Sequence, residues 1–167
     1  SAYYDPTKWE HIFTETTLEA PNDPVSLYGV VKGYKSKSSD NNNYKVYVTE
    51  HDSNIRGTIF GNNQGIYYTG INKFRWFISI SDGVVQTWSP TGTTIVNEST
   101  TLNWSINPSI MGNSLGSISG SFPAVKDKVT GFAYTNYYDE TWERSSGSVT
   151  YPDPVYLGGA VAWYAPG

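Results

Sequence analysis

The sequence predicts a single all-β domain built from antiparallel strands. No apolar spacing of three and four residues continues over three helical turns, and short apolar runs recur instead at intervals of about 8 to 12 residues. Gly, Asn, Pro and Ser separate these runs, as is typical of a β-sandwich or a barrel. Neither a change in composition nor an internal repeat marks a second unit, so residues 1–167 are predicted to form one domain.

The predicted strands follow an irregular arm formed by residues 1–24. Asp5-Pro6, Pro21 and Asp23-Pro24 lie in this arm, and proline interrupts regular backbone pairing. Within the segment 44–49, Tyr44, Val46 and Val48 alternate with Lys45, Tyr47 and Thr49, which is the pattern of a strand with one buried face. The strands predicted after the arm cover residues 25–34, 44–49, 57–60, 66–68, 74–81, 84–88, 94–96, 102–106, 115–120, 129–134 and 155–164.

Turn residues predict how neighbouring strands connect. Asp82-Gly83 lies between the strands 74–81 and 84–88, and because Asp-Gly favours a primed turn we expect a hairpin there. Residues 61–65 are expected to join two short strands, and residues 38–43 to form a polar loop. The predicted core consists of apolar strand residues: Val30, Val46, Val48, Ile59, Phe60, Phe74, Trp76, Ile78, Ile80, Val85, Val129, Phe132, Val161 and Trp163.

Charge and composition exclude several classes of partner. The formal net charge is −4 and no basic stripe occurs, which argues against nucleic acid and against an anionic membrane surface. The absence of Cys excludes disulfides and thiolate chemistry. No apolar stretch approaches the roughly 20 residues of a membrane span, so no direct membrane insertion is predicted. The chain opens at Ser1 without Met or a leader pattern, and we expect an excised domain.

The sequence contains no strong signal for a metal, a cofactor or a catalytic site. His11 and His51 have no second His at ligand spacing, and His51-Asp52 is interpreted as a solvated turn. Asp139-Glu140 with Glu143 is the only carboxylate cluster that could suit calcium. Neither a Gly-x-Ser-x-Gly elbow nor a phosphate loop is present. We therefore predict a protein that is not an enzyme, needs no cofactor and binds no metal.

A glycosidase remains the alternative among enzymes, because it needs only two facing carboxylates. Asp82, Asp139, Glu140 and Glu143 are candidates by residue type, but the sequence cannot place any two of them opposite each other.

Aromatic and polar residues concentrate between Tyr134 and Arg144. Sugar rings stack their C–H faces on flat side chains, and their hydroxyls need polar partners; this segment supplies both. Strand alternation is not evident after Tyr134, so a glycan-binding loop is predicted, with the alternative that Trp142 fills a small core. Trp76, Trp88 and Trp104 lie on predicted strands and are expected to be buried. The predicted glycan-binding residues are Tyr137, Tyr138, Asp139, Trp142, Glu143 and Arg144, with Ser81 and Trp88 at the end of the adjacent hairpin.

A set of short motifs runs through the chain in a characteristic order. They are Tyr4-Asp5-Pro6-Thr7, Pro21-Asn22-Asp23, Gly29-Val30-Val31, Tyr44-x-Val46-Tyr47-Val48, Thr58-Ile59-Phe60-Gly61, Asn72-Lys73-Phe74-Arg75-Trp76-Phe77, Lys128-Val129 with Phe132, Thr135-Asn136-Tyr137-Tyr138 and Trp163-Tyr164-Ala165-Pro166. In this order they resemble the receptor-binding head of the rotavirus outer-capsid spike, with the spacing from Thr58 to Phe77 the most specific part. The segment 89–121 is not placed by the resemblance, and the similarity is that of a distant, non-prototype rotavirus.

The resemblance implies a galectin-like antiparallel β-sandwich of two twisted sheets with a cleft between them. It implies a viral attachment domain on the virion surface, made in the host cell during assembly and released from a longer spike protein by proteolysis. Its partners would be host cell-surface glycans and the remainder of the spike. Members that bind sialic acid have an Arg at the end of the strand that corresponds to 74–81, where this chain has Ser81.

Without that Arg, a charge-assisted bond to the sialic acid carboxylate is lost. A neutral, blood-group or mucin-type glycan is therefore expected rather than terminal sialic acid. The alternatives are a β-sandwich glycan hydrolase or lyase, and a non-viral lectin or carbohydrate-binding module.

Overall fold

The computed structural model describes residues 2–18, 25–57, 59–68, 70–144 and 154–167. Within these ranges the protein is all-β, as predicted: it contains fifteen strands and no helix, and thus no helix with the length and apolar character to cross a membrane. The strands are β1 (Trp9–Leu18), β2 (Val25–Ser36), β3 (Tyr44–Gly57), β4 (Ile59–Asn62), β5 (Gly65–Tyr68), β6 (Lys73–Ser79), β7 (Val84–Ser89), β8 (Gly92–Val96), β9 (Thr100–Ile106), β10 (Ser109–Ile110), β11 (Asn113–Ser114), β12 (Ile118–Ala124), β13 (Asp127–Tyr134), β14 (Tyr137–Glu143) and β15 (Val155–Pro166).

Two antiparallel sheets form the body of the domain. The central sheet has the order β1-β2-β3-β15-β7, and the second sheet has the order β6-β14-β13-β8. Three short pairs, β9 with β12, β4 with β5 and β10 with β11, complete the strand pairing. The architecture is consistent with the predicted β-sandwich.

The central sheet is covered on both faces. Toward the second sheet, Val161 of β15 packs with Ile80 and Tyr138. On the other face, Val46 and Val48 of β3 belong to one buried cluster with residues of the β9–β12 pair, including Ile106, Ile118 and Phe122. Because both faces are covered, β15 is buried almost continuously from Val155 to Ala162 rather than at alternate residues.

The predicted irregular arm is confirmed for residues 2–8 and is wrong for Trp9–Leu18, which form the ten-residue strand β1. It pairs antiparallel with β2 from Trp9 opposite Ser36 to Leu18 opposite Tyr28. Its side chains from Glu10 to Thr17 are exposed, so the apolar alternation that reveals a half-buried strand is missing. Residues 1 and 19–24 of the predicted arm lie outside the described residues.

The predicted Asp82-Gly83 hairpin is also wrong. β6 pairs with β14 and β7 pairs with β15, so these two residues carry the chain from the second sheet to the central sheet. Gly83 lies so close to β15 that a Cβ atom would stand 2.8 Å from the Trp163 ring. The pairing of residues 61–65 is confirmed, with Asn62 opposite Gly65.

The predicted core is confirmed in part. Val46, Val48, Phe74, Ile80, Val129 and Val161 are buried, whereas Val30, Trp76, Ile78, Val85 and Trp163 are half-buried. The side chains of Ile59 and Phe60 lie outside the described residues. The prediction that Phe132 belongs to the core is wrong, since its side chain is 47% exposed. Val129 and Gly131 of β13 face inward, so Phe132 faces outward.

Candidate functional site

The second sheet turns one face to the central sheet and leaves the other open to solvent. Along β14, Tyr138, Glu140 and Trp142 point inward and are fully buried, so the residues between them point outward. Strand register places outward side chains from neighbouring strands beside one another. Asp139 lies between Phe77 of β6 and Phe132 of β13, and Tyr137 lies opposite Tyr134.

Four aromatic rings contact one another on this open face. The ring centroids of Phe77 and Tyr137 are 5.4 Å apart, those of Tyr137 and Tyr134 5.5 Å, and those of Tyr134 and Phe132 5.4 Å. Phe77 is 48% exposed and Tyr134 63% exposed. A contiguous exposed apolar patch is uncommon on a monomeric protein and usually marks an interaction site.

A charged pair borders the rings. Arg75 donates two hydrogen bonds to Asp139, from Nε to Oδ1 at 2.9 Å and from Nη2 to Oδ2 at 2.8 Å. The Arg75 Cζ atom lies 4.9 Å from the centroid of the Phe77 ring. The bonds from Arg75 to the Asp139 carboxylate raise the pKa of Arg75. A guanidinium has five N–H groups, and Asp139 accepts hydrogen bonds from two of those of Arg75. Asp139 therefore holds Arg75 in place, and the other N–H groups can donate to a ligand. Arg75, Phe77, Phe132, Tyr134, Tyr137 and Asp139 are called the aromatic face below.

The predicted binding loop is wrong, because residues 137–143 form β14 in the middle of the second sheet. Of the predicted site residues, Tyr137, Asp139 and Glu143 lie on the open face, and Glu143 pairs with Lys73 at 3.7 Å. Tyr138 and Trp142 point into the core with no exposed surface, so they have none to offer a sugar ring. The alternative interpretation of Trp142 as a packing residue is therefore confirmed.

The other predicted site residues are dispersed. Ser81 lies in an exposed bend beside the stacked rings of Tyr47 and Trp163. Trp88 is half-buried and packs against the cluster of Ile80, Tyr138 and Val161.

Arg144 follows β14 and is half-buried, with its backbone N–H donating to Asn72 O at 3.2 Å. The structure does not bring the eight predicted residues together on one surface. Of the tryptophans predicted to be buried, Trp104 is buried, whereas Trp76 and Trp88 are half-buried.

Sequence reasoning missed Arg75, Phe77 and the outward orientation of Phe132. The signal was present in β6, where Arg75 and Phe77 alternate with Trp76 and Ile78. Both alternating sets of this strand contain aromatic rings, so apolar character alone cannot identify the inner face.

Beneath the aromatic face, a buried polar group joins the two sheets. His51 Nε2 lies 2.7 Å from Glu140 Oε1, and the Tyr138 hydroxyl donates to the same oxygen at 3.1 Å. The Trp76 ring stacks on His51 with centroids 3.9 Å apart. Burial raises the pKa of Glu140, and His51 opposes that shift.

The predicted solvated turn at His51 is therefore wrong, because His51 lies inside β3 and is buried. No local pattern around His51 indicates this contact, since its partner Glu140 is far away in the chain. No three metal-ligating side chains come together in the described part of the chain, and Glu140 faces away from Asp139 and Glu143.

Comparisons with family models, with curated proteins and with solved structures found no match to this chain.

Proposed function

We propose that this domain binds neutral glycans non-covalently through the aromatic face. The observation that carries the proposal is the set of four contacting, outward-facing rings beside the Arg75–Asp139 pair. Pyranose rings present flat C–H surfaces that pack against aromatic rings. Their hydroxyls both donate and accept hydrogen bonds, which Asp139 and Arg75 can satisfy from one side of the same patch.

The charges around the rings favour a neutral ligand over an anionic one. Arg75 is paired with Asp139, and Lys73 is paired with Glu143. Lys128 lies directly across from the same Glu143 in the strand register. An anionic sugar would have to compete with these carboxylates for each cation, whereas a neutral sugar would not.

Binding by a rigid, shallow patch should be weak for a single glycan. A dissociation constant of about 1 mM corresponds to about −4 kcal/mol. Several copies of the domain acting together would raise the overall affinity without any new contact. This behaviour suits a protein that engages a cell surface carrying many copies of its ligand.

The resemblance to the rotavirus spike head supports a specific biological role. The domain would be the attachment head of a viral outer-capsid spike, displayed on the virion surface. Its partners would be host cell-surface glycans and the remainder of the spike protein. Two features favour a neutral blood-group or mucin-type glycan. Position 81 is Ser where the members that bind sialic acid have Arg, and the cations beside the rings are paired with carboxylates.

The test is a glycan array probed with the wild-type domain and with Phe77→Ala and Tyr134→Ala variants. Each variant should lose at least about tenfold in affinity, the factor that corresponds to about 1.4 kcal/mol of lost stacking. Tyr3→Ala is the matched control, because Tyr3 is 75% exposed and lies outside the aromatic face. Unchanged binding by both variants would refute the proposed surface. Cleavage of the arrayed glycans would instead favour the hydrolase or lyase alternative.

A further inference from the structure

A cavity of about 410 Å³ opens on the side of the central sheet that faces away from the second sheet. Along β3, His51 and Ser53 point toward the second sheet, so Glu50, Asp52 and Asn54 point the other way. Small-molecule sites typically measure roughly 300–1,000 Å³, so the cavity can hold a ligand. Its lining includes Tyr28, Glu50, Asp52, Asn54, Ser121 and Tyr156.

Glu50 is the residue that points to a ligand. Glu50 is only 7% exposed and lines the cavity. The Tyr4 hydroxyl interacts with the Glu50 carboxylate, yet among the described residues the enclosed Oε1 atom has no partner in hydrogen-bonding geometry. Leaving a buried acceptor unpaired is unfavourable, and a donor bound in the cavity would satisfy it.

The other lining groups define the class of that donor. Tyr28 and Tyr156 supply flat aromatic surfaces, and Asp52, Asn54 and Ser121 supply acceptors and donors at the wall. Lys32 lies opposite Glu50 in the pairing of β2 with β3, which weakens the attraction of the cavity for a cation. Two carboxylates disfavour an anion. A ring with several hydroxyl groups and no charge fits all of these groups.

We propose that this cavity is a second binding site, for a neutral sugar ring whose hydroxyls donate to Glu50 and Asp52. The aromatic face lies on the outer side of the second sheet, whereas the cavity lies beyond the opposite face of the central sheet. The two sites are separate, and this proposal does not depend on the function proposed for the aromatic face. A domain with both sites would hold two sugar units on opposite sides.

The experiment is a titration of the isotope-labelled domain, followed by amide chemical shifts in two-dimensional NMR. The probes are methyl β-galactopyranoside, methyl α-fucopyranoside and N-acetylgalactosamine, with spermidine as a cationic comparison. At least one sugar should shift the amides of Asp52, Asn54 and Ser121 in a saturable way. Glu50→Gln and Asp52→Asn should each weaken those shifts about tenfold, as expected for one hydrogen bond to a charged group.

Glu98→Gln, at an exposed position outside the cavity, is the matched control and should leave the titration unchanged. Shifts near Tyr134 should persist in both cavity variants, which separates failure of this site from failure of the aromatic face. If no sugar shifts the cavity amides, the proposal is overturned. It is equally overturned if only spermidine does so, or if both carboxylate variants bind like the wild type. Should Glu50→Gln not fold, the Asp52→Asn variant decides alone.

Discussion

Trp142 and Phe132 are aromatic residues of neighbouring strands with opposite surroundings. Trp142 is fully enclosed in the same buried cluster as Phe74 and Leu157. Phe132 stands on the open face and touches the rings of Tyr134 and Tyr137. The interior contact contributes stability, whereas the exposed ring leaves its surface free for a ligand.

Truncation of the two rings should therefore separate stability from binding. Trp142→Ala should cost about 3–5 kcal/mol of unfolding free energy, because a large cavity would remain in the core. Phe132→Ala should cost less than about 1 kcal/mol, because little of its surface is packed. Urea denaturation of both variants measures the difference. Equal losses would mean that the inward and outward faces of the second sheet have been exchanged.

At the scale of the element, strands with one clear apolar face were predictable from the sequence. The segment 44–49 belongs to β3 and the segment 129–134 to β13, as the alternation of Val46 and Val48 and the buried Val129 indicate. β14 was missed because Glu140 occupies an inward position and interrupts the apolar set formed by Tyr138 and Trp142. A buried carboxylate looks like a surface residue until its partner is known.

The partners of each strand were less predictable than the strands. An Asp-Gly pair between two apolar runs favours a local hairpin, yet β6 and β7 join different sheets. Burial against distant strands outweighs that local preference, and the sequence does not encode distant register in any short motif. The candidate site was therefore found only in part: Tyr137 and Asp139 were predicted, while Arg75 and Phe77 were not.

The buried contacts of Glu140 with His51 and Tyr138, which join the two sheets, can be tested by mutation. Glu140→Ala should cost about 3–5 kcal/mol, because it removes the buried carboxylate that both His51 Nε2 and the Tyr138 hydroxyl contact. Glu140→Gln should cost less, since the amide keeps the volume and can still form a hydrogen bond to either group. Chemical denaturation of the two variants provides the measurement. If the alanine variant is as stable as the wild type, the buried contact does not hold the sheets together.

At the scale of the whole molecule, the charges beside the aromatic face are already paired within the domain. The net charge is −4, and the cations beside the aromatic rings face carboxylates. A surface of this kind attracts neutral polar ligands through short-range contacts rather than through a long-range field.

Salt should therefore have little effect on glycan binding. Raising the NaCl concentration from about 10 to 150 mM shortens the Debye length from about 30 to about 8 Å. We expect the dissociation constant of the best glycan to change less than about twofold over this range, because no net charge on the ligand is being neutralised. Isothermal titration or NMR titration at both concentrations measures it. A steep loss of affinity with salt would indicate an anionic sugar held by Lys or Arg.

The position of β15 in the central sheet determines when that sheet can close. β15 lies between β3 and β7, with Val155 opposite Ile55 and Pro166 opposite Tyr44. These contacts join segments far apart in the chain, and domains rich in such contacts fold on the order of milliseconds to seconds. During synthesis, β3 and β7 would each present an open edge until residues 155–166 emerge from the ribosome. Unpaired edges of this kind template association between chains, so these two edges are exposed to aggregation until β15 is made.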